Sequence, residues 1–377
     1  MNQIFDKWVA IWGNAMSILE HRPEGYARDI TLRYPIFCPF SGRGLRLCFD
    51  NYCGTEPIRL TKVTVRVNNR FYPLLFSGQQ SVTIAAGEQA VCDALMVSVT
   101  SGETLSVSIY LGDFTQMRSS VFASGPLSNG QYATGDQCEV ADFPISCSRK
   151  INQVYFLSTV SVLTSSEKRA IVCYGDSITA QAWPDYLTLR CQEQSFLNTS
   201  IIRRATSGSR ILREYDCLTY ESYGLKGTRR FMHEVPTDGA DTVIIQQGIN
   251  DIIHPVGAEV NPFRPMSDLP TVAELIEGMK WYIEQARTLG YRVYLGTLLP
   301  IEGWRTYAPF RNEMRLEFND WMRHTTLADG CIDFDQAVCD SLHPARFFEA
   351  YDSGDHLHPS LAGYQKMAEA VPSELLI

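Results

Sequence analysis

Hydrophobic and polar residues alternate with a period of two through much of residues 30–165. The alternation is clearest at residues 45–49 and 58–67, and further strands are predicted at residues 81–84, 94–99 and 105–111. Short strands separated by turn residues are typical of a β-sandwich. The first twenty residues fit a helical spacing as well as a strand, so both alternatives stay open there.

From about residue 167 the pattern changes to short apolar runs that alternate with helical stripes. The strand candidates lie at residues 170–175, 200–205, 242–248, 292–300 and 331–335. Thr271 and Glu274 form a capping-box pattern before an apolar stripe, and Gly290 follows where a helix should end. Alternating strands and helices predict a parallel sheet with helices on both faces, where ligands bind at the carboxyl ends of the strands.

The pattern therefore predicts two domains, an all-β sandwich over residues 1–166 and an α/β domain over residues 167–377. With 45% hydrophobic and 20% charged residues, the chain lacks the composition of a disordered protein. A formal net charge of −9 disfavours nucleic-acid or anionic membrane partners and favours a small or neutral substrate. The sequence does not indicate an oligomeric state.

The start of the chain lacks the basic region, compact apolar run and cleavage site of a secretory signal. No apolar run approaches the roughly 20 residues that span a bilayer. The eleven cysteines are scattered without a C-x-x-C pair, which suits free thiols better than disulfides or a zinc site. We therefore expect a cytoplasmic protein that needs no metal and no cofactor.

Two segments could carry nucleophilic catalysis. Ser177 follows Gly175 and Asp176 directly after an apolar strand, where a serine would stand at the carboxyl end of the strand. In isolation this tripeptide is more typical of a simple strand-to-helix turn. Asp355 and His358 lie three residues apart before a short helix, a spacing that lets a carboxylate orient an imidazole. His356 competes with His358, but the spacing favours His358.

Two further strand ends offer donors that could stabilise an oxyanion. Gly208 follows the run at residues 200–205, and Asn250 follows the run at residues 242–248. A glycine N–H can approach a ligand closely, and an asparagine amide brings a polarised N–H. Together with the N–H of Ser177 they make three candidate donors. Each residue alone fits a turn or helix cap, but all the signals fall at predicted strand ends or before the last helix.

In this order the segments GDSIT, ATSGS, GINDI and DHLHP resemble the four blocks of the SGNH (GDSL-type) serine esterases and acylhydrolases. The resemblance covers roughly residues 168–377 and implies a three-layer α/β/α, flavodoxin-like domain. It implies Ser177 as nucleophile, His358 as base, Asp355 as its orienter, and Gly208 and Asn250 as oxyanion donors. It also implies a short-chain, acetyl ester of a carbohydrate as the preferred substrate class.

The N-terminal part resembles the β-sandwich, jelly-roll-like domain that precedes the hydrolase in one bacterial branch of this family. Residues 32–34, 44–47, 51–54 and 105–110 carry that likeness. One departure lies in the second block, where the branch commonly has asparagine after the glycine and this chain has Ser209. The departure affects the local hydrogen bonding and not the glycine N–H.

Other readings and contacts stay open. Candidate substrate contacts are Asp176, Trp304, Arg305 and Arg230. One alternative is a lipase-like hydrolase of longer acyl esters, and another is a carbohydrate-binding protein with a degenerate hydrolase domain. A third is a metal-dependent phosphoesterase with Asp176, Asn250, His254, His356 and His358 as ligands.

Overall fold

The structure is a computed structural model that describes residues 5–18 and 25–377. The chain divides into two compact units. The first comprises Met1–Ala170, Gln192–Arg203 and Thr237–Gly239, and the second comprises Ile171–Cys191, Arg204–Pro236 and Ala240–Ile377. The sequence-based boundary between residues 166 and 167 stays a prediction.

The first unit is built from antiparallel β-sheets, as predicted. Its strands are β1 (Lys7–Gly13), β2 (Ser17–Ile18), β3 (Tyr26–Ala27), β4 (Ile30–Phe37), β5 (Leu45–Asp50), β6 (Ile58–Leu60), β7 (Lys62–Val67), β8 (Arg70–Pro73), β9 (Val82–Ile84), β10 (Gln89–Val91), β11 (Thr104–Leu111), β12 (Thr115–Gln116), β13 (Ser119–Phe122), β14 (Gly130–Thr134), β15 (Ser148–Ile151), β16 (Gln153–Tyr155) and β17 (Leu157–Thr164). One sheet has the order β1-β17-β5-β10, and another has the order β15-β14-β4-β11-β7-β8. Alternating burial along β11 packs Leu105, Val107 and Ile109 into the core.

The structure decides three details of the N-terminal prediction. Lys7–Gly13 is a strand that pairs with β17, whereas residues 1–4 and 19–20 of that ambiguous stretch lie outside the described residues. The run at residues 58–67 is split, because β6 and β7 pair in different sheets. The predicted strand at residues 94–99 is wrong. Only Leu95 and Val99 form isolated bridges there, and Met96 between them is 66% exposed.

A five-stranded parallel sheet has the strand order β19-β18-β20-β21-β22. The strands are β18 (Arg169–Gly175), β19 (Thr199–Ala205), β20 (Ala240–Gln246), β21 (Arg292–Gly296) and β22 (Gly330–Ile332). The helices are α1 (Ser177–Ala180), α2 (Trp183–Glu193), α3 (Gly227–Glu234), α4 (Ile249–Ile253), α5 (Val272–Thr288), α6 (Pro309–His324), α7 (Phe334–Val338) and α8 (Leu361–Ala370). Short 3₁₀ turns lie at Ile145–Cys147, Glu221–Tyr223, Met266–Asp268, Glu349–Tyr351 and Ser373–Leu375.

Consecutive buried residues explain why this sheet needs helices on both faces. Ile171, Val172, Cys173 and Tyr174 of β18 are all fully buried. A strand that buries successive residues has no solvent-facing side, which is characteristic of parallel sheets covered by helices. This confirms the predicted three-layer α/β/α domain.

Helix α5 begins and ends as its sequence predicts. The Thr271 hydroxyl accepts the N–H of Glu274, and the Glu274 carboxylate accepts the N–H of Thr271 at 2.7 Å, so the capping box is complete. Gly290 has a φ of +76° just beyond the last turn, a conformation that glycine adopts without strain.

Thr271→Ala should lower the free energy of unfolding by about 1 kcal/mol, because the N–H of Glu274 loses its cap. Urea denaturation measures this loss. Thr288→Ala, at the other end of the same helix, is the matched control and should change the value by less than about 0.5 kcal/mol. Equal losses in the two variants would contradict the capping role.

Candidate active site

The turn after β18 places Ser177 at the carboxyl edge of the sheet. A Cβ on Gly175 would lie 2.4 Å from the carbonyl oxygen of Gln246, so glycine is required where the strand turns. Oδ1 of Asp176 accepts the N–H of Ile178 at 3.0 Å and caps α1. Ser177 is the first residue of this helix and is half-buried.

The loop before α8 brings an imidazole to this serine. The Ser177 Oγ lies 2.9 Å from Nε2 of His358. The other ring nitrogen of His358, Nδ1, lies 2.7 Å from Oδ2 of Asp355. A serine hydroxyl, an imidazole and a carboxylate thus form one continuous hydrogen-bonded chain, in the arrangement of a serine hydrolase triad.

The hydrogen bonds around Asp355 fix the roles of the two ring nitrogens. Oδ1 of Asp355 accepts the backbone N–H groups of Leu357 at 2.9 Å and His358 at 2.8 Å. Partial burial raises the pKa of Asp355, but the bonds from the His358 ring and these two N–H groups outweigh it and hold the pKa below its ordinary value. The carboxylate is therefore ionised and accepts the Nδ1 proton, which leaves Nε2 to accept from Ser177.

The two further strand ends are joined to each other by direct hydrogen bonds. Gly208 has a φ of +78°, and the next residue, Ser209, is held by two side chains that follow β20. Nδ2 of Asn250 donates to the Ser209 carbonyl at 3.1 Å, and Nε2 of Gln247 donates to the Ser209 hydroxyl at 2.9 Å. The residue that departs from the family pattern is thus part of the contact between the second and third blocks.

Asp251 adds a contact that the sequence analysis missed. Its carboxylate accepts the N–H of Ile211 at 2.8 Å and the N–H of Leu212 at 3.1 Å. Burial raises the pKa of Asp251 to about 6, although both N–H groups act to lower it. Asp251 therefore ties the loop after Gly208 to the helix that carries Asn250. Its position directly after Asn250 is the sequence feature that could have indicated this contact.

Tyr223 covers Gly208, and no sequence pattern indicated this contact. A Cβ on Gly208 would lie 2.4 Å from Cδ1 of Tyr223. The Tyr223 ring also lies 4.9 Å from the ring of His254, which in turn lies 6.0 Å from the ring of Tyr215. An aromatic wall formed by Tyr215, Tyr223 and His254 therefore stands beside the candidate oxyanion donor.

The loop after β21 brings Trp304 and Arg305 to the other side of the site. The Trp304 ring meets the His358 ring edge-on, with 6.5 Å between centroids. The guanidinium of Arg305 lies 4.7 Å from the centre of the Trp304 ring, and Arg305 is exposed. Trp304 therefore lies against the imidazole of His358, and the role of Trp304 and Arg305 as substrate contacts stays a prediction.

The other two candidate substrate contacts need correction. Asp176 is fully buried and caps α1. Arg230 is 1% exposed and donates to Gly175, Thr206 and Glu234. Both side chains are buried, so neither is exposed to a bound substrate.

The residues of the metal-site alternative make other contacts. His356 Nδ1 lies 2.5 Å from Oδ2 of Asp352, whereas His358 belongs to the chain with Ser177. His254 is buried in the aromatic wall, and burial together with neighbouring arginines keeps its pKa well below the ordinary value. Within residues 5–18 and 25–377, no three His, Cys, Asp or Glu side chains are grouped so as to hold a metal ion.

The described residues were also compared with the predictions of free thiols and of no membrane-spanning segment. No disulfide bond joins the cysteines in this part of the chain. None of its helices has both the length and the apolar character needed to cross a membrane.

The model of the GDSL-like lipase/acylhydrolase family matches residues 173–366, a span that contains Ser177, Gly208, Asn250, Asp355 and His358. The chain belongs to this family, and it is a carboxylic ester hydrolase. No curated protein matches the chain significantly.

Solved structures of other proteins are similar to about half of the chain. The lipase/acylhydrolase from Enterococcus faecalis is 20% identical, with a TM-score of 0.41, and the match covers 55% of this chain and 95% of that one. A variant of an acetyl xylan esterase from Geobacillus stearothermophilus is 19% identical, with a TM-score of 0.41, and covers 55% and 94%. At these identities and TM-scores, neither likeness informs the choice of substrate.

Asp176→Asn should stabilise the protein increasingly as the pH rises. Burial raises the pKa of Asp176 from 3.8 to about 7, although the Ile178 N–H and the charge of Arg230 lower it. Between these values the folded state keeps a proton that the unfolded state has released, so wild-type stability falls as pH rises and levels off above about pH 7. Asparagine retains a capping oxygen and does not titrate.

Chemical denaturation at about pH 5 and about pH 8 measures the effect, and the stability gain should be larger at the higher pH by about 2 kcal/mol. Asp185→Asn is the control, because it replaces another carboxylate, in α2, by the same amide. A gain for Asp176→Asn that does not change with pH would contradict the account.

Proposed function

We propose that the chain hydrolyses carboxylic esters through an acyl-enzyme formed on Ser177. Oγ of Ser177 attacks the ester carbonyl carbon while Nε2 of His358 takes the hydroxyl proton. The imidazolium gives this proton to the leaving alcohol, and water then attacks the acyl-enzyme with the same base to release the carboxylic acid. The observation that carries the proposal is the hydrogen-bonded chain from Ser177 through His358 to Asp355.

Three N–H groups would stabilise the oxyanion: the backbone N–H groups of Ser177 and Gly208, and the side-chain amide of Asn250. An asparagine amide has two N–H donors, and the Ser209 carbonyl takes one of them. This bond fixes the orientation of the amide and leaves its second N–H for the substrate. Donors that are oriented before the reaction need no reorganisation during it, which is the main source of their catalytic effect.

Asn250→Ala should lower kcat for p-nitrophenyl acetate by about 10² to 10³, because one oxyanion donor is removed. Ser177→Ala should lose nearly all turnover with an unchanged circular dichroism spectrum. Steady-state kinetics of the purified proteins measure both effects.

Ser81→Ala and Asn198→Ala are matched controls in the first unit, where the Ser81 hydroxyl accepts from Arg59 and the Asn198 side chain accepts from Lys168. Both should keep wild-type kinetics. Substantial turnover in Ser177→Ala would defeat the assignment of the nucleophile.

For the substrate class, we propose short-chain, acetyl esters of carbohydrates. The aromatic wall supports a short acyl group, because Tyr223 lies directly against Gly208 and leaves little room beside the carbonyl that Gly208 would bind. Trp304 and Arg305 support a carbohydrate alcohol, since aromatic faces pack against sugar rings and guanidinium groups donate to their oxygens.

Among p-nitrophenyl esters from acetate to dodecanoate, kcat/KM should be highest for acetate and at least about tenfold lower for octanoate, because the longer chain meets Tyr223. Tyr223→Ala should move the optimum toward butyrate or hexanoate. The contribution of the alcohol is the difference in kcat/KM between acetylated sugars and p-nitrophenyl acetate.

Phe263→Ala is the matched control for the acyl series, because Phe263 is 49% exposed and its ring lies edge-on to Tyr220, with 6.4 Å between the ring centroids. It should keep the acetate preference. A wild-type kcat/KM that rises with chain length would replace the proposal with the lipase-like alternative.

A further inference from the structure

Arg230 in α3 uses both of its terminal nitrogens on fixed acceptors inside the protein. Nη2 donates to the carbonyl oxygen of Gly175 at 2.6 Å. Nη1 donates to the hydroxyl of Thr206 at 2.7 Å and to Oε2 of Glu234 at 2.9 Å. The side chains of Arg230 and Glu234 are only 1% and 2% exposed, so the whole group is shielded from water.

Two of these three acceptors, Gly175 and Thr206, lie just before the turns that carry Ser177 and Gly208. Gly175 ends β18 two residues before Ser177, and Thr206 follows β19 two residues before Gly208. The N–H of Thr206 also donates to the Gly175 carbonyl at 3.2 Å. One guanidinium therefore joins the chain segment that places the hydroxyl to the segment that places an oxyanion donor.

The surroundings keep this guanidinium charged. Burial acts to lower the pKa of Arg230, but the charge of Glu234 and its hydrogen bond outweigh burial and raise it. The ring of Tyr174 lies 4.6 Å from the guanidinium carbon and adds a cation–π contact. Charge-assisted bonds are shorter and stronger than neutral ones, and the planar fork of arginine directs them to two acceptors at once, which a lysine ammonium does not reproduce.

We propose that Arg230 is a positioning residue that holds Ser177 and Gly208 in the mutual geometry needed for attack and oxyanion binding. The proposal rests on the proposed function and adds a residue that touches neither substrate nor His358. Misplacement of reacting groups by a fraction of an ångström to one ångström lowers the rate of the chemical step while substrate binding is retained. The expected signature is therefore a loss in kcat with little change in KM.

The test compares Thr206→Val with Thr206→Ser on p-nitrophenyl acetate. Valine has the shape of threonine without the oxygen that Arg230 binds, whereas serine keeps that oxygen. Thr206→Val should lower kcat about tenfold with KM within about twofold, and Thr206→Ser should restore most of the wild-type kcat. Arg230→Lys should lower kcat by about tenfold to hundredfold.

Arg33→Lys is the matched control. Arg33 is a buried arginine of the first unit that donates to the carbonyls of Ala141, Gln137 and Val140. Arg33→Lys should lower the thermal midpoint of unfolding without changing kcat. If Arg230→Lys does not fold, the pair of Thr206 variants still decides the question.

Equal kcat in Thr206→Val and Thr206→Ser, a loss confined to KM, or an equal kcat loss in Arg33→Lys would overturn the positioning role. Full activity in Ser177→Ala would instead overturn the proposed function. The two failures are therefore distinguishable in one set of assays.

Discussion

The parallel direction of the central strands is the constraint on which the candidate site depends. Because β18, β19 and β20 are neighbours in one parallel sheet, the turns that follow them lie along the same edge. Ser177, Gly208 and Asn250 are far apart in sequence, and each follows one of these strands. Burial of the successive apolar residues of β18 stabilises the sheet. The sheet in turn fixes where each turn begins, and these turns carry the candidate site residues.

Hydrogen bonds from polar side chains then fix the conformation of the turns that follow these strands. Asn250 and Gln247 hold Ser209, and Asp251 holds the two N–H groups at Ile211 and Leu212. The last segment needs less support from the sheet, because Asp355 binds both the ring and the backbone N–H of His358 within one loop. The imidazole is thus oriented locally, and only the placement of that loop against Ser177 depends on the rest of the domain.

The sequence predicts the parallel sheet with its helices, the capping of α5 and the pairing of Asp355 with His358, because each depends on local pattern or short spacing. It does not predict the burial of Asp176 and Arg230, since burial depends on how other elements of the fold pack over them. Tyr223 is undetectable for the same reason: its contact with Gly208 joins an irregular loop to a turn. The mistaken strand at residues 94–99 has the right alternation, but only Leu95 and Val99 meet a neighbouring backbone.

The central claim is that the Ser177 hydroxyl is activated by His358. Mass spectrometry after treatment with a fluorophosphonate tests it directly, since this reagent forms a stable covalent adduct with an activated serine. The account predicts one adduct, located on the peptide that contains Ser177, and a much slower reaction in His358→Ala. An adduct on a different residue, or labelling of Ser177 at the same rate without the imidazole, would contradict it.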